Sequence, residues 1–242
     1  MQPFIQIFGL AISAAPAAVW LGAVVAIWLA GRTAAWRGLD GRVLGDALTV
    51  AGFGALLGAR LGYVALHASV YVRDPLAALA LSTSALDGAI GALAGVGVLA
   101  WRLRRAGMLR WAAADALAPL ALVLAMGLAL ASYFDGAVFG AASALPWAVE
   151  VWGAARHPVQ FYEMTGLLAM LVASVALSRR VLPDGALALG AVLAYGVLRL
   201  IVDGFRADEA VLLAGLRVSQ FVAAVCAAAA AWGLGEGRQH HG

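Results

Sequence analysis

Long apolar runs recur along almost the whole chain, and that recurrence decides what it can fold into. A helix that crosses a bilayer needs about 20 mostly apolar residues. Seven stretches meet or approach this length, at roughly 11–30, 46–67, 86–101, 113–134, 160–178, 185–203 and 211–234. The third is short and rich in glycine from Gly88 to Gly97, which suits close helix packing or a partly re-entrant path. Composition agrees: 64% of the residues are hydrophobic and 12% charged, against about half and a quarter in soluble domains. The expected fold class is all-α, a polytopic bundle of seven transmembrane helices forming one membrane domain over residues 1–242.

The arginines orient the bundle. Arg32, Arg37 and Arg42 lie in the first connection, Arg102, Arg104, Arg105 and Arg110 in the third, and Arg179 and Arg180 in the fifth. The even connections hold one each: Arg73, Arg156 and Arg206. Positive charge marks the cytoplasmic side, so the N-terminus is expected outside and the C-terminus inside. The net charge of +3 is then topological and lipid-facing, which removes the case for nucleic acid. The single cysteine, Cys226, lies in an apolar run, so neither an intrachain disulfide nor redox chemistry is expected. The first 31 residues carry no basic segment of the kind that opens a cleavable signal peptide. His240 and His241 read as polar tail, and no metal or cofactor is expected.

Against this apolar background one stretch is crowded with chemistry: Arg156-His157-Pro158-Val159-Gln160-Phe161-Tyr162-Glu163. Pro158 suits a helix start. Gln160 and Glu163 then share a helical face near a dipole end that favours a carboxylate. An ordinary interfacial belt of Tyr and His is the simpler reading. Ionisable groups within spans are costly and mark function by default. Arg60 sits in the second span, Asp87 opens the third, and Asp135 closes the fourth at the outer side. Tyr195, Arg199 and Asp203 fall at i, i+4 and i+8 on one face, with Arg206 a turn beyond. Arg199 and Asp203 could form only an intrahelical pair, and Arg60 could simply tie helices together. Arginines and a phenol in an apolar bundle also suit an anion, and phosphate is the anion a membrane supplies.

These residues resemble the prolipoprotein diacylglyceryl transferases, seven-span enzymes of the bacterial inner membrane. The similarity runs from about residue 49 to 225. Ala51–Val64 matches the family's second span, and 156–163 matches its R-H-P-S-Q-L-Y-E, the most specific piece. Tyr195-Gly196-Val197-Leu198-Arg199, with Asp203, Phe205 and Arg206, is similar to Y-G-x-x-R followed by E-F-F-R, and 215–220 looks like the segment opening the last span. The resemblance implies transfer of a diacylglyceryl group from phosphatidylglycerol to a lipoprotein precursor's cysteine thiol. It implies a catalytic role for His157 as base, with Gln160 and Glu163 orienting it. Tyr195 and Arg199 would hold the phosphoglycerol group. Arg60, Arg206 and Asp135 would stand with Gln160 and Glu163 at the headgroup, and Asp87 is the alternative base.

The chain departs from the family at defined places. The signature G-R-x-G-N-x-x-N-G-E falls on 128–137, with Ala129 for the arginine, Ser132 and Asp135 for the asparagines and Ala137 for the glutamate. The family's H-G-G falls on Asp87-Gly88-Ala89. Two other readings therefore stand beside the transferase: a lipid-binding homologue without activity, or a transferase with a different lipid or acceptor. The expected partners are phosphatidylglycerol, a lipoprotein precursor peptide and membrane lipids.

Overall fold

The structure is a computed structural model, and it describes the chain except residues 1–3, 8–9, 80–84, 137, 209–211, 214–215 and 240–242. Ala137, Gly215, His240 and His241 thus lie outside the described residues. An antiparallel hairpin, β1 (Phe4–Ile7) with β2 (Leu10–Ser13), leads into α1 (Ala14–Trp36). There follow α2 (Gly41–Leu66), the one-turn α3 (Ala68–Tyr71), a 3-10 turn (Pro75–Leu79), α4 (Gly88–Arg105) and α5 (Trp111–Asp135). A second hairpin, β3 (Val149–Val151) with β4 (Ala154–Arg156), precedes α6 (Val159–Ser178) and α7 (Ala186–Asp203). The last hairpin, β5 (Leu212–Leu213) with β6 (Leu216–Arg217), enters α8 (Val218–Gln239).

Among the described residues, six helices are long and apolar enough to cross a membrane: α1, α2, α5, α6, α7 and α8. The protein is therefore a mostly helical, multi-pass membrane protein. The short third stretch does form a helix, α4, but its 18 residues end in Arg102, Arg104 and Arg105, and it is not among the six. Helix boundaries overrun the apolar runs because apolarity marks what lies in hydrocarbon, while capping decides where the backbone turns. Thus α2 starts five residues before its apolar run, where the Asp40 carboxylate accepts from the N–H groups of Arg42 and Val43. The last helix begins late, at Val218, because the segment before it forms the third hairpin.

Lipid, unlike water, does not drive large apolar side chains inward, so helices associate through small residues that allow close approach. The large groups point outward: Trp20, Phe53 and Trp232 are 61, 71 and 71% exposed, while Ala26, Ala30 and Ala34 are fully buried. Helix α1 packs along α5, α2 along α4, α7 along α8, and α5 also meets α6. Between α1 and α5, the Thr33 hydroxyl donates to Ala116 O at 2.6 Å. The best-packed core joins α1, α2, α4 and α5 at their arginine-rich end, around Leu44, Leu103 and Ala116. At that end Arg37 Nη1 lies 3.3 Å from the fully buried Asp115 carboxylate. Asp115 also accepts from Gly185 N and Ala188 N, at 2.9 and 2.8 Å, and so caps the start of α7 from α5.

The α2–α4 seam shows how tight the packing is. A Cβ on Gly91 would sit 2.7 Å from Ala59 Cβ and 2.9 Å from Ala55 O, whereas one on Gly97 would meet nothing within 4 Å. Gly91→Ala should cost about 1–3 kcal/mol by overpacking. Gly97→Ala should be neutral or slightly stabilising through helix propensity. Thermal unfolding of both variants in detergent checks this, and equal behaviour would contradict the seam.

Candidate functional site

Pro158 stands at the N-cap of α6, so Gln160 and Glu163 do fall in its first turns. That helix start meets the last turns of α5 and α7 at the end of the bundle away from the packed core. Between the three helices lies a cleft of about 290 Å³, lined among others by Gln160, Glu163, Tyr195, Arg199 and Arg206. Five residues singled out from the sequence thus share one cavity. Its α5 wall is formed by Ala125, Leu128, Ala129 and Ser132. Ala129 and Ser132 are two of the positions that depart from the signature, so these departures line the cavity.

Arg199 is the hub. Its Nη1 donates to Glu163 Oε1 at 2.9 Å, and its Nη2 lies 2.7 Å from Asp203 Oδ1. The pairing with Asp203 inside α7 is therefore real, but it is half of a bridge that continues to α6. The Tyr195 hydroxyl lies 3.5 Å from the same Glu163 oxygen, a contact at the limit of a hydrogen bond. Asp203 is fully buried and also accepts from the Ser219 hydroxyl of α8 at 2.6 Å. Gln160 donates through Nε2 to Val138 O, which ties α6 to the chain leaving α5.

Arg206 grips Asp208 with two parallel bonds, Nε to Oδ1 at 2.9 Å and Nη2 to Oδ2 at 2.7 Å. Arg217 closes the loop, donating to Arg206 O at 2.9 Å and to Asp208 O at 3.1 Å. The Asp208 hydrogen bond is the first cause that raises the Arg206 guanidinium pKa further above its ordinary value, against the opposing effect of burial. Burial would raise the Asp208 carboxyl, but the hydrogen bond and charge of Arg206, with Arg217 behind, outweigh it and hold that carboxyl below its usual value.

His157 stands beside the cleft rather than in its lining. Its Nδ1 is 3.2 Å from the Tyr162 hydroxyl, which also accepts from Trp147 Nε1 at 2.8 Å. Its ring packs on Phe205, with centroids 5.0 Å apart. The residue holding the imidazole is thus Tyr162, since Gln160 and Glu163 are engaged elsewhere. His157 N donates to Ala141 O at 3.0 Å, and a side chain at Gly140 would collide with the His157 backbone. Gly140 is therefore what lets the segment after α5 lie against the start of α6.

Arg60 and Asp87 are engaged away from this group. Arg60 donates to Ala77 O, Ala78 O and Ala85 O at 2.7, 3.0 and 2.9 Å, fastening the segment between α2 and α4. Asp87 caps α4 by accepting from Ile90 N at 2.8 Å. Asp135 ends α5, one turn beyond Ser132. The sequence reading passed over Asp208 and Arg217 as site residues. Their spacing carries no helical signal, because Arg217 stands in β6, paired with Leu212, and Asp208 precedes that hairpin.

The prolipoprotein diacylglyceryl transferase family model matches residues 2–235. A phosphatidylglycerol–prolipoprotein diacylglyceryl transferase from Methylocella silvestris is 32% identical over 209 residues, covering 78% of this chain and 73% of that protein. Proteins of the same description are 31% identical in Rhodospirillum centenum, covering 80% of each chain, and 30% identical in Pseudoalteromonas translucida, covering 79% and 74%.

The Asp208 lattice has a definite pH signature. A carboxyl held low in the fold stabilises above its ordinary value of 3.8 and loses that contribution as pH falls through its lower folded value. Asp208→Asn should lower thermal stability near neutral pH and flatten its decline below about pH 4. Unfolding scans across that range check the sign. An equally steep acid limb in the variant would contradict it.

Proposed function

The chain belongs to the prolipoprotein diacylglyceryl transferase family, and on that premise we propose that it transfers the diacylglyceryl group of phosphatidylglycerol to the cysteine thiol of a lipoprotein precursor. The observation that carries the reading is the Arg199 fork, held between Glu163 and Asp203 on the wall of a cleft at one end of the bundle. In the reaction the sulfur bonds to the terminal glyceryl carbon, the bond from that carbon to the phosphate oxygen breaks, and glycerol phosphate leaves with the electron pair. Negative charge on the phosphate grows along this path. A guanidinium fixed beforehand therefore stabilises the transition state more than the ground state. Two of its five donors hold carboxylates, which sets its plane and leaves N–H groups for a phosphate oxygen. Tyr195 and Arg206 complete the polar wall.

His157 takes the thiol proton. In the tautomer that carries its proton on Nδ1, facing the Tyr162 oxygen, Nε2 has the lone pair a base needs. A thiol with an ordinary pKa near 8.5 gains from such a base. Support for the wider setting comes from the arginines: the cleft lies at the end opposite the basic last turn of α4 and Arg179 and Arg180, which follow α6. We place it in the outer leaflet of the bacterial inner membrane, with α4 as a seventh span, the N-terminus outside, the C-terminus cytoplasmic and the whole chain as one domain. The uncharged α5 wall at Ala129 and Ser132 favours a second reading, a lipid-binding homologue without transfer.

Transfer of labelled lipid from phosphatidylglycerol vesicles to a peptide with a lipoprotein-type cysteine tests these roles. Arg199→Lys should reduce transfer by roughly 10²-fold, because a point charge replaces a planar fork. His157→Gln should keep the fold and lipid binding and lose roughly 10²-fold or more. Full activity in either variant removes that residue from its role, and a wild type that binds lipid without transfer favours the second reading. For orientation, a reporter fused after Arg105 should read cytoplasmic and one near Pro146 external. The reverse would move the cleft to the wrong leaflet.

A further inference from the structure

We propose that the groove between α5 and α7 measures the length of one acyl chain of the lipid donor, with the Asp115 staple as its end stop; this rests on the transferase reading. The groove, open along one side, has a volume of about 380 Å³ and is lined by apolar side chains such as Ala118, Leu122, Ala188 and Val192. It adjoins the polar cleft, since Ala125 and Tyr195 line both. A ligand with its phosphate beside Arg199 therefore has its apolar part at the groove's mouth, and Tyr195 marks the boundary between the two.

Length and closure point to a chain rather than a surface patch. The walls run over residues 114–125 of α5 and 188–195 of α7, about 16 and 10 Å at the helical rise. From Arg199 to Ala188 along α7 is about 16 Å at the helical rise, close to the about 15 Å that one lipid tail spans in a leaflet. A packing helix, about 10 Å across, is too wide for it. At the far end the two helices are stapled. Asp115 of α5 accepts from Gly185 N and Ala188 N, and a Cβ on Gly185 would lie 2.9 Å from the Trp111 ring. A tail entering from the cleft meets that closure and can go no further along the groove.

The selectivity this gives is steric. A tail leaves one apolar medium for another, so it gains no hydrophobic free energy by entering. What changes with length is whether its end reaches the staple and must fold back, which displaces the headgroup from Arg199. A misplacement of about 1 Å at a reacting centre can cost 10²-fold in rate, so length is read out as rate.

The test compares saturated phosphatidylglycerol donors, from dilauroyl to distearoyl, each diluted equally in phosphatidylcholine vesicles holding the protein. The wild type should prefer one length, with rates falling for longer tails. Ala188→Phe, which fills the closed end, should lower the dipalmitoyl-to-dilauroyl rate ratio about ten-fold, and Ala114→Leu on the facing wall should lower it in the same direction. Unchanged ratios in both variants overturn the proposal. A second readout does not need turnover. A donor with a photoreactive group at the end of its tail should label residues near 114–118 and 188, and that labelling should fall in Ala188→Phe. Labelling spread over the outer faces of the bundle overturns the groove. Labelling confined to it without transfer leaves the groove standing and removes the transferase reading.

Discussion

A guanidinium placed among transmembrane helices must be paired or it will not stay there. Unpaired charge in hydrocarbon is costly, and breaking a buried pair strands its partner. Arg199 meets this constraint by bridging Glu163 of α6 and Asp203 of its own helix. Asp203 in turn takes the Ser219 hydroxyl of α8 and faces Arg206 at 3.4 Å. One carboxylate therefore connects α7, α8 and the loop between them, and one arginine carries that connection to α6. These pairs add little net stability once desolvation is counted. Their effect is geometric, since each charge has one place in which all its partners are reached.

The two ends of the bundle are built on opposite principles. At the arginine-rich end, small residues pack α1, α2, α4 and α5 together, and the Asp115 cap ties α7 to α5. At the other end the helices stand apart, and polar side chains line the space between them. Closure at one end holds the helices in register, so the other can keep a cavity open. The polar cleft and the apolar groove adjoin at Ala125 and Tyr195, matching the split chemistry of a phospholipid.

Much of this was legible in the sequence, for reasons that can be named. The long helices follow from unbroken apolar runs, and the shared face of Tyr195, Arg199 and Asp203 follows from helical spacing. The motif around His157 marked the start of α6, because Pro158 sets the helix entry. Partners were harder to read. Nothing local shows that Glu163 would reach Arg199, 36 residues away, or that Tyr162 rather than Gln160 would hold His157. Arg60 looked like a headgroup ligand, yet its three bonds go to backbone carbonyls of a connecting segment, and carbonyls are invisible to a reading of side chains. Asp208 and Arg217 meet although no helical spacing links them. The substitutions at Ala129 and Ser132 gained meaning from the structure, which puts both on the cleft.

We propose that the cleft performs diacylglyceryl transfer with Arg199 as its principal cation, although Ala129 stands where the family signature has an arginine. The most direct measurement is complementation of a bacterial host depleted of its own diacylglyceryl transferase. This chain should restore growth and lipid-modified lipoproteins. Failure to restore either, with the protein abundant in the membrane and correctly oriented, would contradict it.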